Sequence, residues 1–260
     1  VSSQVGCAVG CSFCATGQGG FVRHLEVSEI VEQVLYLSRR LRAAPESRAV
    51  SNIVLMGMGE PLLNYDRVWQ AIEIWNDHRG FDMGARRITL STAGVVPGIL
   101  RLAEERLQVG LAVSIHAADD ELRDQLVPLN KRYPLADLMD ACHEYVAQTR
   151  RRITIEYCLI EDINDAARQA HQLARLLHGL NCHVNLIPLN PDSPDPLDLG
   201  AAGYRPSSRQ RVRAFQRVLI DQGIPTTVRL RRGIDIQAGC GQLRQRHQER
   251  SDERRQVSSG

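Results

Sequence analysis

The sequence has almost no lysine: its basic charge rests on 31 arginines and a single lysine, Lys131. Aromatic residues are scarce, at 5% of 260 residues. No apolar run approaches the ~20 residues a membrane-spanning helix needs, so no such helix is expected within these residues. No internal repeat or low-complexity block stands out. There is no opening methionine and no visible signal peptide, so the chain reads as a fragment or a processed form. An evenly spaced disulfide framework is lacking too. The seven cysteines (Cys7, Cys11, Cys14, Cys142, Cys158, Cys182 and Cys240) are odd in number, and three fall in one short stretch. That usage suits a reducing cytoplasm better than a secreted scaffold.

What is present supports a sizeable core, since 43% of residues are apolar. Net charge is only +2, but it is uneven. Residues 201–260 carry 13 Arg against 5 acidic residues, a net of +8, whereas residues 1–200 sum to −6. Arginine forks onto phosphates and stacks on bases, so a basic C-terminal end is compatible with a nucleic-acid partner. A solvated basic tail reads equally well.

Short runs rich in Val, Ile, Thr and Leu recur at 51–57, 87–92, 110–116, 153–160, 183–190 and 226–230. Several are near-continuous apolar runs, the pattern of a parallel sheet covered on both faces. Helical stretches lie between or beyond them at 28–42, 65–78, 97–107, 134–149, 165–178 and 207–222, with Ser28 as a candidate N-cap. Pro97, Pro134 and Pro206 sit near helix starts, where proline is tolerated. The opening residues, Val1 to Val5, read as the tail of a first strand. The count is about six β/α units, fewer than the eight of a closed barrel. The expected fold is therefore α/β: a partial, open (β/α)6 TIM-like barrel over 1–243, ending in a C-terminal strand and loop. Residues 191–206 hold four prolines and suit a long loop. Residues 244–260 lack apolar periodicity and read as a loose basic tail.

The stretch "GCAVGCSFCATG" spaces Cys7, Cys11 and Cys14 as C-x3-C-x2-C. A tetrahedral zinc site wants four ligands, usually as two pairs, and only His24 lies nearby as a fourth. Three thiolates on a 4Fe–4S cluster would leave one iron open to a small molecule with an amine and a carboxylate. Glycines at 6, 10 and 17 let the loop wrap a bulky group, and Phe13 can shield it. Further polar residues sit at strand ends. Gly59 and Glu60 follow the strand ending near Met56, Ser91 ends the next, and Ser114 and His116 end the one after. Asn190 ends "NLIPLN", and Cys240 lies in the loop after the last strand, between Gly239 and Gly241. All would gather at the C-terminal mouth of a barrel, where such folds keep their sites. Singly, each is equally an ordinary strand terminus, and His116 equally a histidine satisfied in the core.

These motifs carry a resemblance. "SSQVGCAVGCSFCATGQGGF" and "MGMGEPLLNY" resemble the radical S-adenosylmethionine (SAM) superfamily, and within it the RlmN-type methyltransferases that modify carbon 2 of adenine in ribosomal and transfer RNA. "LSTAGVVPGI", "VSIHAADDELRDQLVPLNKRYP", "NLIPLNP" and "CGQL" extend the similarity to about Leu243. The resemblance implies a radical SAM barrel with Cys7, Cys11 and Cys14 as ligands of a 4Fe–4S cluster. Gly59 and Glu60 match the "GEP" motif that holds the SAM amino group. Ser91, Ser114, Ile115, His116 and Asn190 match SAM-site residues, and Cys240 matches the methyl-carrying cysteine. Cys142, Cys158 and Cys182 are left as packing thiols.

Chemistry explains the need for such machinery. Carbon 2 of adenine is electron-poor and cannot displace the SAM methyl directly. The family route implies an S-methylcysteine and a 5′-deoxyadenosyl radical, with the cofactor doing the hard step. Implied partners are an RNA substrate and a one-electron donor such as flavodoxin or ferredoxin. The expected setting is cytoplasmic, the expected state monomeric, with no membrane. The family also has a resolving cysteine just before the stretch matching Val1, an N-terminal accessory domain and an N-terminal glutamate. Without them the expectation is Cys240 methylation and SAM cleavage with little released product. Related carbon-8 adenosine methyltransferases of the antibiotic-resistance type share the motifs. Radical SAM activases and a zinc-bound, non-catalytic RNA module are further alternatives.

Overall fold

The computed structural model describes residues 1–43, 49–189 and 203–229. In chain order the elements are β1 (Gln4–Gly6), α1 (Ala15–Gln18), β2 (Phe21–His24), α2 (Val27–Arg42), β3 (Ile53–Leu55), α3 (Tyr65–Asn76), β4 (Ile88–Thr92), α4 (Val96–Ala103), β5 (Gly110–Ser114), α5 (Asp120–Leu126), α6 (Leu135–Thr149), β6 (Ile153–Leu159), α7 (Ala167–Leu176), β7 (Cys182–Pro188), α8 (Arg209–Asp221) and β8 (Thr226–Val228). Strands β3 to β8 form one six-stranded sheet in sequence order, every neighbouring pair parallel. Parallel neighbours require a crossover, and at least one helix lies between each consecutive pair. Among the described residues β3 and β8 do not pair, so the barrel is open.

The opening residues depart from the expected first barrel strand. The Val1 amino group donates to Val54 O (2.8 Å), and Gly57 N–H donates to Val1 O (3.0 Å), so the chain does start beside β3. The regular strand begins later, however, and Gln4–Gly6 pairs antiparallel with Phe21–His24 in a separate two-stranded sheet. Gly6 at φ +81° starts the turn that folds the cysteine stretch back on itself.

The sheet is also not covered alike on its two faces. Ile88, Leu90, Leu111, Val113, Ile153, Ile155, Tyr157, Val184 and Leu186 alternate onto the outer face and join one core with the helices. Tyr157, for instance, meets Phe215 of α8 with ring centroids 5.2 Å apart. The intervening residues on the inner face include Thr89, Ser91, Ser114, Thr154, Glu156, His183 and Asn185, most of them only partly buried. The runs looked uniformly apolar because Val, Ile and Leu dominate them; the period-2 pleat still separates an oily face from a polar one.

Helix ends follow cap chemistry more closely than propensity. α2 starts one residue before Ser28, because Glu26 and Glu29 close a reciprocal capping box. α4 ends at Ala103, four residues short of the expected stop. The seven-residue α5 has no counterpart in the sequence reading; Asp119 caps it by accepting from Leu122 N–H at 2.9 Å. Of the proline-rich stretch 191–206, only 203–206 is described, and the tail 244–260 lies outside the described residues.

Candidate active site

The cysteine loop leaves β1 and returns to β2 as a closed ring. Cys7 N–H donates to Gly20 O at 2.9 Å, Cys14 N–H to Cys11 O at 3.2 Å and Gln18 N–H to Cys14 O at 3.0 Å. A side chain at Gly6 would put its Cβ 2.0 Å from Gly20 O, and one at Gly17 would sit 2.8 Å from Cys11 N. Those contacts explain two of the three loop glycines: the backbone packs too tightly for a methyl group. The loop is pinned to the sheet's C-terminal rim by Ser12 N–H donating to Leu126 O (3.1 Å), at the end of α5. Beneath it lies a small apolar cluster of Val9, Ala117, Leu126, Val127, Cys158, Ile160 and Leu189, against which Cys7, Cys11 and Phe13 pack.

Cys7, Cys11 and Cys14 are unpaired and partly exposed. Burial pushes the Cys7 thiol up to about 11, with Cys14 and Glu60 adding like charge, and raises Cys11 further, with Cys14 and Cys7 contributing. Three mutually interacting thiols at one rim are a donor set for soft metal. No three or more His, Cys, Asp or Glu side chains among the described residues converge tightly enough for a single ion. A lone zinc would need sulfurs about 2.3 Å from one point. A cluster, in which each thiolate holds a different iron, fits the looser triplet.

Glu60 sits at the same rim, just after β3. It is 2% exposed, and both its carboxylate oxygens are occupied: Leu62 N–H donates to Oε1 (3.0 Å) and Ala93 N–H to Oε2 (2.6 Å). Its own N–H donates to Gln4 Oε1 (2.9 Å). Burial dominates and lifts its pKa to about 7, while those N–H groups oppose the shift. Gly59, at φ +100°, lies against Gln4, where a Cβ would come within 2.5 Å of the Gln4 Cβ.

Ser91 and Ser114 both lie on the inner face at the ends of β4 and β5, partly exposed. Ile115 is fully buried; its N–H donates to Glu156 O (3.1 Å) and its carbonyl accepts from Arg123 Nε (3.0 Å). His116 resolves toward a structural role in part. Its backbone is left-handed, at φ +62°, and its Nδ1 accepts from Cys158 N–H at 2.9 Å. An accepting Nδ1 fixes the proton on Nε2. Burial, with Arg123 nearby, lowers its pKa to about 3, so the ring is neutral. Its ring meets Phe13 in a T-shaped contact, 4.8 Å between centroids at 77°, which ties the histidine to the cysteine loop. The structure thus brings Cys7, Cys11, Cys14, Glu60, Ser91, Ser114, Ile115 and His116 to one end of the sheet. Asn190 and Cys240 lie outside the described residues.

Two residues escaped the sequence reading. Arg123 on α5 is 1% exposed, and its guanidinium donates to the carbonyls of Ala93 (2.7 Å), Ser114 (3.2 Å) and Ile115 and to Asn130 Oδ1 (2.6 Å). It thereby locks the chain segments leaving β4 and β5. Asn164 clamps the next segment, donating to His116 O (2.8 Å) and Cys158 O (2.7 Å). The signal for Arg123 was an arginine in a short apolar-flanked helix among many surface arginines, which composition hides.

An open parallel half-barrel with three thiols and a buried carboxylate at its rim defines the radical SAM class, and residues 1–174 match the Radical SAM superfamily. The chain is 52% identical over 256 residues to a probable dual-specificity RNA methyltransferase RlmN from Chloroflexus aurantiacus, covering 95% of this chain and 66% of that protein. It is 52% identical over 253 residues to the dual-specificity RNA methyltransferase RlmN 1 of Myxococcus xanthus, covering 96% and 67%. A crystal structure of a radical SAM methyltransferase from Sphaerobacter thermophilus superposes with a TM-score of 0.88 at 54% identity, over 93% of this chain and 68% of that one. The chain belongs to the RlmN family of radical SAM enzymes, whose cofactors are a 4Fe–4S cluster and SAM, and it spans about two thirds of the length of these relatives.

Proposed function

We propose that this chain is the catalytic barrel of a methyltransferase that adds a methyl group to carbon 2 of adenosine in ribosomal RNA, transfer RNA or both. The observation that carries it is the thiol triplet of Cys7, Cys11 and Cys14 standing at the same rim of the sheet as the buried carboxylate of Glu60. When bound, the cluster and SAM supply a one-electron reduction and a carbon-centred radical. Cys7, Cys11 and Cys14 hold the cluster. Glu60, once ionised, accepts from an ammonium group, with Gly59 giving the close backbone approach. Ser91, Ser114 and Asn190 offer neutral hydrogen-bonding groups, while Ile115 and the neutral His116 wall the site. Cys240 takes up a methyl group as a thiolate nucleophile and carries it to the RNA.

The names of the relatives support RNA as substrate. A flavodoxin- or ferredoxin-type donor and a monomeric state complete the reading, with 1–243 as the catalytic unit. No helix among the described residues is long and apolar enough to cross a membrane. Among the described residues Cys7, Cys11, Cys14, Cys142 and Cys182 are free thiols, which suits a reducing cytoplasm. The test is the mass of the Cys240 peptide after anaerobic incubation of cluster-loaded protein with SAM. A gain of one methyl group is expected; an unmodified peptide in fully loaded protein would overturn the reading. Nuclease digestion and mass spectrometry of treated RNA then assign the modified carbon, and methylation at carbon 8 would transfer the chain to the resistance type.

A further inference from the structure

Tyr204 belongs to no motif of the assigned site, yet it reaches the cysteine loop. Its hydroxyl meets Ser12 Oγ at 3.0 Å, across 192 positions of sequence. Ser12 stands between Cys11 and Phe13, in the short turn that ends at Cys14. All three of its polar groups are engaged. The N–H donates to Leu126 O (3.1 Å), the carbonyl accepts from Gln18 Nε2 (2.9 Å), and the hydroxyl meets the tyrosine. Tyr204 also packs against the same small apolar cluster as Cys7, Cys11 and Phe13.

The tyrosine is held in place from behind. Arg205 O accepts from Glu161 N–H at 2.9 Å, and Pro206 forms an antiparallel bridge with Ile160. Ser208 Oγ caps α8 by accepting from Arg211 N–H (3.3 Å). The Arg211 guanidinium then donates to Asp162 Oδ1 (2.6 Å) and to Oδ1 of the buried Asp165 (2.8 Å). Residues 204–211 thus form a brace fastened to the chain leaving β6, with the phenol at its tip.

That arrangement decides which partner the hydroxyl contact steadies. Without it the brace keeps its backbone bridge and its arginine clamp. The loop keeps one backbone bond, Ser12 N–H on Leu126 O, one ring contact, Phe13 with His116, and its packing on the rim cluster. A serine hydroxyl rotates until a partner fixes it. Groups standing behind metal ligands hold those ligands in place, and hydrogen bonds near cluster sulfurs tune the reduction potential. A phenylalanine would fill the same apolar space, so packing alone does not account for the hydroxyl.

We propose that Tyr204 is a positioning residue for the iron–sulfur cluster: through Ser12 it fixes the turn between Cys11 and Cys14, and so governs how firmly iron is kept and how readily the cluster is reduced. The inference rests on the assignment of Cys7, Cys11 and Cys14 as cluster ligands and extends it to a residue from the far end of the chain.

The test uses anaerobically reconstituted protein, wild type beside Tyr204→Phe, Ser12→Ala and the double variant. Three quantities are read: iron release to a ferrous chelator, the cluster midpoint potential from a redox titration followed by electron paramagnetic resonance, and the urea midpoint. Tyr204→Phe should release iron about fivefold faster, the factor that one net hydrogen bond is worth. Its potential should fall, because a group that steadies the more negative reduced state is lost. Ser12→Ala should do the same, and the double variant should do no more than either alone, since the two hydroxyls act as one unit. Wild-type iron release and potential in Tyr204→Phe overturn the inference. So do effects of the two single variants that add in the double, or a lowered urea midpoint with both cluster readings unchanged, which makes the contact a structural brace only. A wild type that takes up no iron overturns the cluster assignment itself, and this inference with it.

Discussion

Glu60 shows how one buried carboxylate couples stability to ligand binding. Its pKa in the folded chain is about 7, against 4.5 when unperturbed, so the native state holds the proton more tightly than the unfolded state. Its contribution to stability is therefore full below pH 4.5 and is lost as pH rises through 7, a swing of about 3 kcal/mol from this group alone. Affinity for an ammonium ligand runs the other way, since only the ionised form attracts it. S-adenosylhomocysteine should bind more tightly as pH rises from 6 to 8, and Glu60→Gln should flatten that rise; a calorimetric pH series checks it. The glutamine also turns an NH2 toward Leu62 N–H or Ala93 N–H, so unfolding by urea should occur about 1–3 kcal/mol earlier. Arg123→Met should cost more, about 3–5 kcal/mol in the same assay, because four acceptors lose their donor in a site that excludes water. Glu60 was legible because it stands in a motif of local residues. Arg123 was not, because its partners are carbonyls from 8 to 30 positions away, and no spacing rule reports a contact of that kind.

At the scale of elements, the cysteine loop is a preformed ring, not a flexible tether. Its closure depends on Gly17, where a Cβ would come within 2.8 Å of the Cys11 backbone nitrogen. Gly17→Val should cut iron and sulfide content after reconstitution severalfold while barely moving the urea midpoint, since the loop packs on the small rim cluster and not on the main core; metal analysis beside a denaturation curve separates the two effects. Removing the cap of α5 with Asp119→Ala should cost about 1 kcal/mol and loosen the Leu126 carbonyl that anchors Ser12. The six barrel strands were legible, because β-branched runs between helical periodicities have few other readings. β2 and α5 were not: at four and seven residues they are too short to show a period. The true start of α2 was hidden because a glutamate, an uncommon cap, outcompeted the serine two residues on.

For the molecule as a whole, the open barrel was readable from a unit count below eight, but its polar inner face was not, since pleat and burial emerge only when neighbouring strands fix each other's register. Ligands that bind only the folded state should stabilise it by mass action. S-adenosylhomocysteine at a hundred times its dissociation constant should add about 2.7 kcal/mol, read as a shift in the urea midpoint. A last consequence follows from the strand order. Each strand of the main sheet pairs with the one made just before it, so no strand has to wait for a distant segment. The chain can therefore be laid down unit by unit as it leaves the ribosome, with contacts that stay short in sequence and favour rapid assembly. The thiol ring, emerging before α5, would find its anchor only when that helix arrives about a hundred residues later, so iron should be retained by nascent chains that reach past Leu126 and lost by shorter ones.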